Sequence, residues 1–254
     1  MDIRLYLKPN CQLVLCKYPH DSQTCKLKIS SFGFGQDLVR LHWFDEIDDA
    51  IKMNKKVKLP ELYIVGYTKH ICNGMRKSGN FSCLEARFHM KRTISYHLSH
   101  TYIPTAMCVI FSWISVWLPE EFVEGRVFLS LTVFLTLSAE SGSTKEILPK
   151  VSYMKAIDIW YGFTTAFVFA TMLQSLFVIS LEHNGKELRK KIESNEMHIP
   201  HYKLLMLYQK AKLRSTLARM LDKYCKVLYP VIFIIFVIIY IFVITDGEEN
   251  KCIR

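Results

Sequence analysis

Cys11 and Cys25 stand with thirteen residues between them, and Tyr18-Pro19-His20-Asp21 lies inside that span. Two thiols so spaced close a loop in an oxidising compartment, removing chain entropy worth about 3 kcal/mol. Zinc ligation is the competing chemistry, but no second cysteine pair stands close enough to complete a four-ligand set. His97 and His100 are one helical turn apart, a spacing that suits zinc, yet no third ligand accompanies them. There is no His-Glu-x-x-His and no phosphate-cradling glycine loop; Gly33-Phe34-Gly35 is not followed by a helical pattern. The residues therefore argue against an enzyme: no catalytic group, no metal site and no cofactor is expected.

The apolar residues are bunched, and this bounds the class of protein more tightly than their overall share does. Residues 98–118, 122–137, 157–181 and 228–245 are four runs of about the length that a hydrocarbon core of roughly 30 Å requires. The chain reads as a polytopic membrane protein. Its net charge of +10 is concentrated between the third and fourth runs, in Lys186, Arg189, Lys190, Lys191, Lys203, Lys210, Lys212, Arg214, Arg219 and Lys223. That asymmetry places the loop in the cytoplasm, and no nucleic-acid partner is needed to explain the charge. An even number of crossings returns both termini to the outer side, where disulfides persist. The first residues are too polar and short for a signal peptide, so the expectation is a missing N-terminal portion or an unusual route of translocation. Residues 2–7 and 25–30 alternate as half-buried strands do.

The run that the others must position extends from Glu120 to Lys145. It is long enough to cross a bilayer, yet it is the most hydroxyl-rich apolar stretch of the chain. At steps of four and three, Phe128, Thr132, Leu135, Ala139 and Gly142 share a face, with Glu124, Arg126 and Lys145 near the ends. Such a helix suits a pore wall shared with copies of itself; the alternative is a weakly hydrophobic helix inside an ordinary bundle.

The loop of thirteen residues with Tyr18-Pro19-His20-Asp21 inside it resembles the signature loop of the Cys-loop receptors, the pentameric ligand-gated ion channels. Ser31-Phe32-Gly33-Phe34, the pair Cys72 and Cys83, Tyr102-Ile103-Pro104, 112–117 (Ser-Trp-Ile-Ser-Val-Trp), 148–153 (Leu-Pro-Lys-Val-Ser-Tyr) and 155–160 (Lys-Ala-Ile-Asp-Ile-Trp) are similar, in that order, to glycine receptors and glutamate-gated chloride channels. The resemblance implies a membrane protein with a partial extracellular β-sandwich followed by a four-helix transmembrane bundle. Residues 1–97 would be the later half of the ligand-binding sandwich, 98–181 the first three transmembrane helices, 182–226 a cytoplasmic loop, 227–245 the fourth helix and 246–254 an extracellular tail. Strands of the family's first half are absent, which points to a truncated gene model or an alternatively started product.

By the same resemblance, Phe32 and Phe81 match members of an aromatic box that attracts an ammonium group through ring faces, about 0.5 to 2 kcal/mol each. Phe81 lies in the loop closed by a second disulfide, Cys72 to Cys83, like the capping loop of glycine-type receptors, and Ser78 stands at a ligand-contacting hydroxyl position. Arg76 departs from the pattern, replacing a tyrosine. A guanidinium there opposes an ammonium and suits a carboxylate, unless it turns out to solvent. Asn80-Phe81-Ser82 is also a glycosylation pattern. Asp21 and Arg92 match residues that couple the binding domain to the helices, and Lys150 lies in the connection on which the loop presses. Otherwise all three are solvated surface charges.

Leu135 matches the mid-pore leucine that forms a hydrophobic gate, and Phe128 replaces a small residue near the cytoplasmic end, narrowing the pore. Thr132 and Ala139 line the same face. Glu124-Gly125-Arg126 stands where chloride-conducting relatives carry Pro-Ala-Arg. Converging helix N-termini and Arg126 favour anions, Glu124 opposes them, and Glu124 has the alternative of capping its own helix. Residues 211–222 form a basic amphipathic stretch fit to lie on anionic lipid or to flank an ion portal, and Cys225 is a candidate for acylation. The expected protein is a subunit of a homo- or hetero-pentamer with related subunits, in the plasma membrane, with a synapse as a candidate place. It is gated by a small amino-acid neurotransmitter of the glycine, glutamate or γ-aminobutyrate type and conducts chloride. The alternatives are a cation channel, because of Glu124, or a truncated, non-conducting assembly partner.

Overall fold

The computed structural model describes residues 5–44, 49–53, 61–119, 122–148, 151–194 and 201–246. They fall into two compact units that divide between Tyr96 and His97.

In the first unit β1 (Ser22–Ser30), β2 (Leu62–Ile71) and β5 (Cys83–Arg92) make an antiparallel sheet with β5 in the centre. The register runs from Ser22 opposite Lys91 to Ser30 opposite Cys83 on one side, and from Leu62 opposite Arg92 to Ile71 opposite Leu84 on the other. The central strand explains its own burial: Cys83, Leu84, Glu85 and Ala86 are buried in succession, as a strand covered on both faces must be. A register shift between Ile64 and Gly66 bulges β2. Two short strands, β3 (Met75–Arg76) and β4 (Gly79–Asn80), form a hairpin between β2 and β5. Residues 25–30 fall inside β1 as their alternation predicts. Residues 2–4 lie outside the described set, and Leu5, Tyr6 and Leu7 are exposed and not in a strand, because no neighbour among the described residues pairs with them.

Helices make up the second unit, which begins at His97, the last residue of a short α1 (Ile94–His97). From there the chain runs through a π-helical turn, Leu98–Tyr102, into α2 (Ile103–Trp117). The amide of Ile103 reaches back to the Leu98 carbonyl across that turn, and Pro104, which has no amide to donate, sits at the start of the regular helix. Residues 98–117 thereby form one rod of about the 30 Å that a membrane requires. After it come α3 (Val123–Ile147), α4 (Ala156–Ser194) and α5 (His201–Asp246), each long and apolar enough to cross a membrane by itself.

The expected cytoplasmic loop over 182–226 is largely helical: α4 and α5 are roughly 60 and 70 Å long, about twice what the hydrocarbon needs. Their extensions pack on each other. Gly185 is buried and a side chain there would begin 3.5 Å from the Ala211 carbonyl oxygen, while Ala211 and Ala218 are both fully buried. Small residues in register let two backbones approach, which is why 211–222 lies against α4 along that face and presents its basic residues from the remainder.

The core of this unit gathers around Trp160 of α4. Its ring meets Tyr102 at 5.0 Å, Tyr240 at 5.2 Å and Phe236 at 5.7 Å between centroids, and its Nε1 donates to Thr105 Oγ1 at 2.9 Å. The Tyr102 and Tyr240 hydroxyls share a hydrogen bond of 2.8 Å, and Tyr240 donates to the Ala156 carbonyl at 3.1 Å. One indole thus links α2, α4 and α5 while each polar handle is satisfied inside the protein, as hydrocarbon surroundings demand. Trp160→Ala is expected to cost about 3 to 5 kcal/mol. The readout is a lowered thermal transition of the purified protein in detergent, with Trp160→Phe intermediate because it keeps the ring packing and loses the Nε1 bond.

Candidate functional site

The loop closed by Cys11 and Cys25 is present as a disulfide with 5.4 Å between the Cα atoms. Inside it Leu15, Tyr18 and Asp21 are buried, and Gln23 ties the loop together: its Nε2 donates to the Val14 carbonyl at 2.7 Å and to Asp21, while its Oε1 accepts from the Val14 amide at 3.1 Å. Asp21 immediately precedes β1 and Arg92 ends β5, so the register that sets Ser22 opposite Lys91 also sets these two side by side. Arg92 Nε donates to Asp21 Oδ1 at 2.7 Å, Nη2 to Oδ2 at 3.3 Å and Nη1 to Glu61 at 2.7 Å, and the guanidinium lies 4.6 Å from the centre of the Tyr18 ring. Both charges of the pair are buried. The solvated-surface alternative does not describe these two residues. Lys150, the third member of the expected coupling set, lies outside the described residues.

Burial pulls the Arg92 guanidinium down, and the hydrogen bond and charge of Asp21 more than reverse this. Burial also pushes the Tyr18 phenol up to about 12, against the opposing charge of Arg92, and holds the His20 imidazole below its ordinary range despite Asp21.

The second disulfide, Cys72 to Cys83, closes the β3–β4 hairpin with 5.1 Å between Cα atoms. The Phe81 amide donates to the Gly74 carbonyl at 3.1 Å. A Cβ on Gly74 would lie 1.7 Å from the Phe81 carbonyl oxygen, so only glycine allows the two strands to approach this closely. This places Arg76 across from the loop after β1. Its guanidinium carbon lies 5.0 Å from the centre of the Phe81 ring and 5.9 Å from that of Phe32, and its Nη2 donates to Ser30 Oγ at 3.1 Å. Phe32 is 89% exposed and Phe81 is buried, so the cluster is open on the Phe32 side. Ser78 sits exposed at the tip of the hairpin, between Arg76 and its partner Gly79.

On α3 the two faces separate cleanly. Arg126, Ser130, Val133 and Leu137 are buried, whereas Phe128 is 71% and Leu135 65% exposed in the single subunit, with Ala139 exposed and Thr132 half-buried on the same face. Thr132 Oγ1 donates to the Phe128 carbonyl at 2.9 Å and Thr136 Oγ1 to the Thr132 carbonyl at 2.8 Å, so these hydroxyls are satisfied by their own helix. At the inner end Phe122 folds over Gly125, where a side chain would begin 1.9 Å from the ring. Glu124 is exposed and makes no cap: the capping position is Phe122, with no side-chain hydrogen bond. Arg126 is buried, its Nε donates to the Leu118 carbonyl at 3.1 Å and its Nη2 meets Asp222 of α5 at 2.9 Å. Asp222 also accepts from Gln174 of α4 at 2.9 Å. Sequence reasoning set Arg126 beside Glu124 as a mouth charge and missed Asp222, which read as one acid among many in a basic stretch. Among the described residues no group of three or more metal-ligating side chains occurs.

Residues 1–95 match the model of the neurotransmitter-gated ion-channel ligand binding domain, and residues 101–212 match that of the neurotransmitter-gated ion-channel transmembrane region. The chain belongs to the neurotransmitter-gated ion channels, a family of membrane receptors and not of enzymes. It is 32% identical over 211 residues to a glycine receptor subunit beta-type 4 from Caenorhabditis elegans, an alignment that covers 83% of this chain and 44% of that relative. Family members assemble as pentamers of related subunits, with an extracellular ligand-binding domain and membrane-spanning helices.

Replacing Asp21 by Asn removes the buried charged partner of Arg92, leaving the exposed Glu61, and is expected to destabilise the binding unit by about 3 kcal/mol, read as a lower thermal transition. Tyr18 gives an independent check at alkaline pH. Its folded pKa of about 12 lies above the unfolded value of 10.0, so the stability it contributes is present below pH 10 and is lost as pH rises toward 12. In ultraviolet titration of tyrosinate, Tyr18→Phe should have one late-ionising phenol fewer than the wild type.

Proposed function

We propose that this chain is an anion-conducting subunit of a pentameric neurotransmitter-gated channel whose agonist is a small amino acid held through its carboxylate. The observation that carries the agonist reading is Arg76. Its guanidinium already lies over the faces of Phe81 and Phe32, in the place where an aromatic box would receive a ligand's ammonium group. A second cation there meets repulsion, whereas a carboxylate gains a charge-assisted, two-pronged partner. The relative named as a glycine receptor subunit supports an amino-acid agonist.

In this reading Phe128, Thr132, Leu135 and Ala139 line the pore, and Leu135 supplies a ring that excludes water until it widens. The pair of Asp21 and Arg92 transmits binding toward the helices together with Lys150. The setting is the plasma membrane, in contact with membrane lipid and in company with homologous subunits. Arg76→Ala should raise the half-maximal agonist concentration at least tenfold in co-assembled receptors while leaving surface delivery unchanged. Unchanged potency would remove Arg76 from the site.

One specific observation favours a second reading, cation passage: Glu124 is exposed while Arg126 is buried against Asp222. Reversal potentials separate the two. Anion conduction predicts that the reversal potential follows the chloride gradient and that Glu124→Ala leaves it in place. Cation conduction predicts that it follows sodium and that Glu124→Ala shifts it toward chloride.

A further inference from the structure

Past the end of α2, a cleft of about 600 Å³ opens between the turn that follows it and the helical extensions of α4 and α5. Its lining includes six cations, Arg126, Lys186, Arg189, Arg219, Lys223 and Lys226, against two carboxylates, Glu182 and Asp222. Both acids are engaged: Glu182 pairs with Lys186 at 2.9 Å, and Asp222 takes Arg126 and Gln174. The cleft is therefore strongly cationic after its internal pairs are formed. Arg126 is 1% exposed, and its Nη1 has no hydrogen-bond partner among the described residues although Nε and Nη2 are both used. A buried guanidinium hydrogen without an acceptor is costly, and an oxygen-rich anion entering the cleft would supply one. Trp117 forms part of the wall with Lys226 5.7 Å from its ring centre, an amphipathic ring at the level where the apolar part of α5 begins.

We infer that this cleft binds a phosphomonoester-bearing anion at the cytoplasmic membrane surface. The cations spread along the two extensions suit more than one phosphate, each carrying about −1.5 to −2 charges near neutral pH. Arg126 forms the floor, where its free hydrogen meets one phosphate oxygen, and Arg189 and Lys223 offer further donors from α4 and α5. The depth of the Arg126 side chain separates this arrangement from a surface scatter of lysines. Occupancy would neutralise repulsion among the cations and brace the extensions of α4 and α5 against the end of α2. Two sources carry this chemistry, a phosphoinositide headgroup in the inner leaflet and a soluble inositol phosphate.

The test uses the purified full chain in detergent and the double variant Arg189→Gln with Lys223→Gln, which leaves the pair of Arg126 and Asp222 intact. Short-chain phosphatidylinositol 4,5-bisphosphate, short-chain phosphatidylcholine, inositol 1,4,5-trisphosphate and inorganic phosphate are titrated while thermal stability is followed. The expected result is a saturable rise in transition temperature with the phosphoinositide, none with phosphatidylcholine, and an apparent affinity at least tenfold weaker in the double variant. An equal response to inositol trisphosphate assigns the site to a soluble anion, and a response confined to the lipid assigns it to the membrane. A double variant that responds like the wild type, or a phosphatidylcholine response equal to that of the phosphoinositide, overturns the proposal.

Discussion

An α-helix turns by about 100° per residue, so fixing which side of α3 packs inward also fixes which side is left for neighbours. Three contacts set that rotation. At the inner end Arg126 meets Asp222 of α5, in the middle Val133 and Leu137 enter the aromatic core, and toward the outer end Thr144 shares a 2.9 Å hydrogen bond with Tyr161 of α4. The outward face carrying Phe128, Leu135 and Ala139 follows from them. It is exposed in the single subunit, with Phe128 and Leu135 the large apolar side chains on it. The hydroxyls of Ser130, Thr132 and Thr136 do not alter the argument, since they return to their own backbone carbonyls and leave that part of the helix acceptable to hydrocarbon, protein or water alike.

The binding unit depends on a comparable lock. Arg92 brings Asp21, Glu61 and the Tyr18 ring together around one guanidinium, and three segments distant in sequence meet there. Strand register does most of the positioning: once β1 and β5 are paired from Ser22 to Ser30, Asp21 has no choice of partner. The same economy holds at the hairpin, where the disulfide of Cys72 and Cys83 and the glycine at position 74 hold Phe81 and Arg76 within ring-contact distance.

Much of this was legible in the residues. The thirteen-residue cysteine spacing, the four apolar runs and the period of α3 each rest on local rules, and the structure reproduces them in the disulfide, the helices and the exposed face. Three features were not legible, for physical reasons that differ. The alternation at residues 2–7 looked like a strand, but a strand is made by its neighbour and none among the described residues pairs with Leu5, Tyr6 or Leu7. Residues 211–222 read as an amphipathic stretch leading into the last helix, but their pairing with α4 did not show; Gly185, Ala211 and Ala218 were the signal, small residues placed for close contact. Asp222 could not be singled out, since its importance comes from Arg126, almost a hundred residues earlier.

The burial of Arg126 changes how charge is distributed at the inner end of the proposed pore. Glu124 precedes Phe128 by four residues and Leu135 by eleven, about 40° and 20° from them around the helix, so the carboxylate shares their stripe. Arg126 lies two residues from Glu124, about 160° away, and its positive charge is spent on Asp222 inside the subunit. Each subunit then offers the mouth one full negative charge on a side chain and about half a positive charge from the end of α3. Repetition around a ring multiplies both contributions equally and cannot reverse their balance. What decides the sign felt by an ion is position: the helix end is fixed on the axis of α3, whereas the carboxylate swings on a side chain. A pore that is narrow at Phe128 brings ions within reach of the backbone ends, and a wide, water-filled vestibule lets the carboxylates dominate. In the proposed pore, ion choice would thus be coupled to the width at the phenylalanine one turn above the acid.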